Sequence, residues 1–163
     1  MARKPTQQQV IDDLLNRYDP IIAQAFRQAV EDVRGSADLQ RLIAALAAGD
    51  LNAALNALNL EAAAYGPLSE AIRQAYGEAG TASAAIANGQ TPAGVVIRFN
   101  IRNPRAETWL RDHSSQAVTR IIEDQRNAIR AALQAGMERG VNPRTAALDI
   151  IGRVNRATGK REG

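Results

Sequence analysis

Between Ser115 and Arg139 the residues Val118, Ile121, Ile122, Ile129, Ala132, Leu133, Gly136 and Met137 recur at spacings of three and four. That period puts them on one side of a helix about six turns long, and so long an apolar stripe must be covered by something. Gly140 supplies the residue that ends it. Asn142 and Pro143 then form a cap followed by a proline whose φ is preset. Ala146, Ala147, Ile150, Ile151 and Val154 give the next helix an apolar side.

The approach to this helix has a different period. Residues 94–102 are rich in β-branched side chains and alternate apolar with polar from Ile97, as a half-buried strand does. A lone strand leaves its own backbone unsatisfied, so Val95 to Ile101 is expected to pair locally or to serve as a docking strand for another chain. Asn103 and Pro104 read as a cap and first helical residue, starting a short helix through Trp109 and Leu110.

Upstream, Thr6 is placed to cap a helix over 7–18, and Asp19–Pro20 reads as a fresh start for a second helix to about Val33, with Gly35 as its stop. Ser36 and Asp38 open a further helix, and Asp50 caps a short one carrying Leu51, Leu55 and Leu58. Gly66–Pro67 starts another with Leu68, Ile72 and Tyr76, expected to break near Gly77 to Gly80. The fold expected is therefore mainly all-α. An acidic, Ala/Leu-rich helical bundle spans 1–88 and a linker 89–94. An extended segment near 95–102 leads into long helices to 154, and a basic flexible tail covers 155–163.

Charge is polarised along the chain. Residues 1–97 carry a net −3 and residues 98–163 a net +6. Arg153, Arg156, Lys160 and Arg161 cluster in the tail with only Glu162 beside them, a pattern suited to phosphate or to an acidic protein surface. Arg98, Arg102, Arg105 and Arg111 flank the extended segment. Without interleaved aromatics, any nucleic-acid contact is expected to be to backbone phosphate and independent of sequence. The plainer alternative is a solvated arginine-rich helical face.

The residues for catalysis are sparse. Cysteine is absent, which excludes disulfides and thiolate chemistry, and His113 is the sole histidine. Asp112, His113 and Ser114 are consecutive, and neighbours in sequence do not face one another as a triad requires. Trp109 reads as a core anchor. The acidic pairs Asp12–Asp13, Glu31–Asp32 and Glu123–Asp124 each have arginine within about a turn and read as solvated ion pairs rather than metal ligands. No phosphate-binding glycine fingerprint occurs, no apolar run approaches the ~18 residues of a membrane span, and no secretory signal opens the chain. No catalytic, cofactor or metal site is expected.

Phe99 to Ala106 (Phe-Asn-Ile-Arg-Asn-Pro-Arg-Ala), Trp109 to His113, the long helix, Gly140 to Arg144 and Gly152 to Arg156 follow in an order that resembles the minor head proteins of tailed bacteriophages, the Mu F-like head morphogenesis family. The lead-in from Ala48 to Leu55 belongs to the same likeness, which covers about residues 37–163 and is similar to the N-terminal portion of the family pattern. The resemblance implies a non-enzymatic head-assembly protein in the virion or the cytoplasm of the bacterial host. Its partners would be the portal and other head proteins, with non-specific contact to packaged DNA; a homo-oligomer is an expectation from the apolar stripe, which would pack against another subunit. The stripe Val118, Ile121, Ile122, Ile129 and Leu133 is the expected protein interface, and Arg153, Arg156, Lys160 and Arg161 the expected DNA contacts. The alternative is a small helical, sequence-independent DNA-binding protein of host or prophage origin.

Overall fold

A computed structural model describes residues 5–92, 94–99 and 104–162, the side chains of residues 62 and 63 excepted. Six α-helices dominate: α1 Gln7–Ser36, α2 Leu39–Ala47, α3 Leu51–Asn56, α4 Gly66–Asn88, α5 Pro104–Glu138 and α6 Pro143–Ile151, with a 3₁₀ turn at Ala62–Tyr65. Two short strands follow, β1 Arg153–Val154 and β2 Arg161–Glu162. The protein is mainly all-α.

Local sequence explains most helix starts. Thr6 Oγ accepts the Gln9 amide at 3.3 Å while the Gln9 side chain accepts the Thr6 amide at 2.8 Å, a reciprocal capping box that opens α1. Asp38 accepts from the Arg41 amide, Asp50 from the Ala53 amide and Asn142 from the Arg144 amide, so α2, α3 and α6 each begin on a side chain that satisfies an orphan donor. Gly49 and Gly140, at φ +74° and +70°, take the left-handed turns that close α2 and α5.

Three expected interruptions are absent. The break at Asp19–Pro20 does not occur, because α1 continues through Pro20 to Ser36. Leu14, Tyr18, Ile22, Ala25, Ala29 and Val33 stay in phase across the proline, and at least part of each is covered. Their shared face outweighs the roughly 3 kcal/mol that an interior proline costs. Helix α4 likewise runs unbroken through Gly77 and Gly80. Gly80 is there for contact, not for a break: a Cβ at that position would lie 2.5 Å from the Phe99 ring. The short helix after Pro104 and the long one after Ser115 are a single 35-residue α5, so Asp112, His113 and Ser114 sit inside a helix rather than at a junction.

The chain forms two compact units, Met1–Phe26 with Pro67–Ala117 and Arg27–Gly66 with Val118–Gly163. The units interleave along the sequence instead of following one another as a bundle and an arm, since α1 and α5 each contribute to both. In the first unit Leu68, Ala71 and Leu110 are buried, and buried Ser114 accepts from Ser69 across α4 and α5 at 3.3 Å. Arg17 pairs with Glu78 between α1 and α4 at 3.3 Å. In the second unit Leu42, Leu55, Leu58, Leu133, Ala147 and Ile151 form the centre of one apolar core. Arg126 and Arg130 on α5 donate to Asn56 and Asn52 on α3, fixing the rotation of α5 over that core.

Residues 95–99 form neither helix nor strand, and the remainder of the expected strand, with Asn103 as cap, lies outside the described residues. The expected flexible tail is instead an antiparallel hairpin in which Arg153 faces Glu162 and Val154 faces Arg161. Asn155 builds its turn: the side chain accepts the Ala157 amide at 2.8 Å, and the Asn155 amide donates to the Lys160 carbonyl at 2.8 Å. Gly152 must be glycine, since at φ +81° a Cβ would meet the Glu162 carbonyl oxygen at 2.9 Å.

Candidate functional site

The hairpin gathers the four cationic residues expected to contact phosphate, but in different states. Arg153 donates to Asp149 at 3.2 Å, and Arg161 turns inward to the Gly152 carbonyl at 3.1 Å. Arg156 and Lys160 are exposed with no side-chain hydrogen bond or ion pair among the described residues. Glu162 is engaged within the hairpin, accepting from Asn155 and Thr158. Sequence proximity suggests that Glu162 alone opposes these cations. The fold adds Asp149, and it places Glu31 and Asp32 of α1 in the same cleft as Lys160 and Arg161. The positive potential of the tail is accordingly weaker than its composition implies.

The apolar stripe of α5 divides differently from expectation. Val118 is 5% exposed and Leu133 is 1% exposed, so neither is available to a partner. Ile129 packs against the core that contains Leu133, and Ile121 and Ile122 are half-buried. Of the expected interface, Val118 and Leu133 are covered by the chain itself, while Ile121, Ile122 and Ile129 keep part of their surface exposed. Alanine and leucine from short helices supply that cover, which the scarcity of aromatic residues conceals.

The large apolar side chains left in solvent lie elsewhere. Val95, Val96 and Ile97 are 55%, 66% and 42% exposed in succession. Asn88, at the end of α4, holds this segment through its side-chain amide, accepting the Ile97 N–H at 2.6 Å and donating to the Ile97 carbonyl at 2.5 Å. One carboxamide thus replaces one residue of a neighbouring strand, and Val96 on one side of it projects outward.

Trp109 is half exposed instead of anchoring a core. Its ring stacks on His113, one helical turn onward, with centroids 3.8 Å apart, and meets Tyr76 of α4 edge-on at 5.7 Å. Nothing in the linear sequence joins Tyr76 to this aromatic cluster, although the four-residue spacing of Trp109 and His113 is visible in a helical frame. The same geometry separates the consecutive Asp112, His113 and Ser114. His113 Nδ1 lies 2.8 Å from the Trp109 carbonyl, Ser114 donates to the Arg111 carbonyl at 3.0 Å, and Asp112 pairs with Arg111. No nucleophile–base hydrogen bond joins them.

Among the acidic pairs, Asp12 and Asp32 accept from Gln8 and Gln28, each four residues earlier. Among the described residues no three acidic or histidine side chains converge, and no helix is long and apolar enough to cross a membrane. Glu70 is held down to about 2 by hydrogen bonds, first from Arg73 and then from Gln74, on the exposed side of α4. Comparison with protein-family models, with curated proteins and with solved structures gives no match to this chain.

Proposed function

We propose that this chain is a non-enzymatic assembly protein of the tailed-phage minor head type. It would associate with the portal and other head proteins while the procapsid forms, acting in the host cytoplasm and then in the virion. The order of motifs from Phe99 to Arg156 suggests the family. The observation that carries an assembly role is the run Val95, Val96 and Ile97, three successive apolar side chains left in solvent. Such a run is a liability unless something docks on it.

Co-expression with the portal protein from the same genome tests the proposal. The two should co-purify, and Val96→Asp should release the portal while leaving the helical content unchanged. A chain that stays alone at micromolar concentration would remove the support for this reading.

A second reading, sequence-independent binding of DNA, draws on Arg156 and Lys160. With Arg153 and Arg161 engaged, about two phosphates are neutralised, so log affinity should fall with log salt at a slope near −1.8 rather than the −3.6 of four free cations. Titration of unrelated duplexes at two salt concentrations measures that slope. No binding at low salt excludes this reading and leaves the assembly role untouched.

A further inference from the structure

Four elements of the second unit converge on a half-open cavity of about 250 Å³. Val30 from α1, Leu58 from the segment after α3, and Ala128, Ile129 and Ile150 from α5 and α6 form apolar walls. Arg34, Asp149, Tyr65 and Gln125 are its polar lining, and the last two form a pair. Tyr65, fully buried, donates its hydroxyl to the Gln125 side-chain oxygen, and burial pushes the Tyr65 hydroxyl up from its ordinary pKa, keeping it a neutral donor. With its oxygen engaged by Tyr65, Gln125 has its amide hydrogens directed to no described acceptor.

We propose that this cavity binds a neutral, mainly apolar small molecule of about ten heavy atoms carrying one hydrogen-bond acceptor. The size follows from the volume: an apolar cavity of about 150 Å³ holds a benzene, so one of 250 Å³ holds a bicyclic or substituted monocyclic ring. The acceptor follows from Gln125, whose N–H groups lose water when a guest fills the space and need a replacement partner. Arg34 and Asp149 line the cavity with opposite charges that sum to zero, and the remaining walls are mainly apolar, so the lining favours a guest without net charge.

The test titrates the full chain with acetophenone, which carries a carbonyl acceptor, and with toluene, which carries none, following isoleucine methyl resonances. Both guests should shift Ile129 and Ile150 in the millimolar range and leave Ile11 and Ile21 unmoved. Gln125→Leu should weaken acetophenone about tenfold and leave toluene unchanged. Ala128→Phe and Val30→Phe fill the space from two different helices, and either should abolish binding at an unchanged or raised melting temperature. Failure of either guest to shift Ile129 and Ile150 up to about 5 mM overturns the proposal, as does undiminished binding to a folded filled variant. The wild-type titration alone supports or overturns the proposal, whether or not a filled variant folds. The outcome is independent of the portal and DNA experiments.

Discussion

Leu133→Ala distinguishes a core residue from an interface residue on α5. Leu133 is 1% exposed and belongs to the same core as Leu42, Leu55, Ala147 and Ile151. Truncation removes three carbons from a closed site, losing their transfer free energy and leaving a cavity that the surrounding short helices fill only in part. Comparable substitutions cost about 2.7–5 kcal/mol. At roughly 2–4 °C per kcal/mol for a chain of this size, the melting temperature of the second unit should drop by about 10 °C. Denaturation in guanidinium followed by far-UV circular dichroism measures the loss. Trp109 fluorescence reports the first unit separately, because the only tryptophan lies there. Ile122→Ala, at a half-buried site, should cost about 1–2 kcal/mol. If Leu133→Ala costs less than about 1 kcal/mol and instead changes the association state, the stripe faces a partner and its assignment to the core is wrong.

Asn88→Ala should free the segment around Ile97, raising amide exchange at Ile97 about tenfold with little change in global stability; unchanged exchange would show that the carboxamide does not hold it. Gly80→Ala should destabilise the first unit by about 1–3 kcal/mol through collision with Phe99 despite its gain in helix propensity, whereas Gly35→Ala, with open space around it, should stabilise by about 0.5–1 kcal/mol. Equal effects at the two glycines would exclude contact with Phe99. Glu70 has a lowered folded pKa, so its stabilising contribution is present above the unfolded value near 4.5 and is lost as pH falls through about 2. Its carboxylate is half exposed, so the contribution is about 0.5 kcal/mol, and Glu70→Gln should abolish that part of the acid dependence. A carboxyl titration by NMR that returns an ordinary glutamate value would refute the Arg73 contact.

Helix starts are legible in the sequence because a cap is a local event: Thr6, Asp38, Asp50 and Asn142 each act within four residues. Helix continuity is not, because it depends on what covers a face. Pro20 and the pair Gly77–Gly80 carry unfavourable local terms that distant contacts offset, Phe99 on Gly80 being one. The segment around Ile97 has a strand-like sequence pattern, but a side chain nine residues earlier occupies the hydrogen bonds a neighbouring strand would take. The basic tail looks unstructured by composition, yet Asn155 and the positive-φ glycines Gly152 and Gly159 encode its hairpin. For the candidate sites, sequence locates the cations correctly and misjudges their opponents, since Asp32 is far from Lys160 in the chain and shares its cleft in space.

The interleaving of the two units has a consequence for how the protein is made. Leu42 and Leu55 leave the ribosome early, but Leu133 and Ile151, which complete their core, follow roughly a hundred residues later. At about 5–20 residues per second the first-made leucines wait about 5–20 s for their neighbours. Throughout that interval the nascent chain presents an unfinished apolar surface, an opening for chaperone capture and for premature contact between neighbouring polysomes. Slowing translation across the segment between residues 67 and 117 should therefore lower the soluble yield, although no residue has changed.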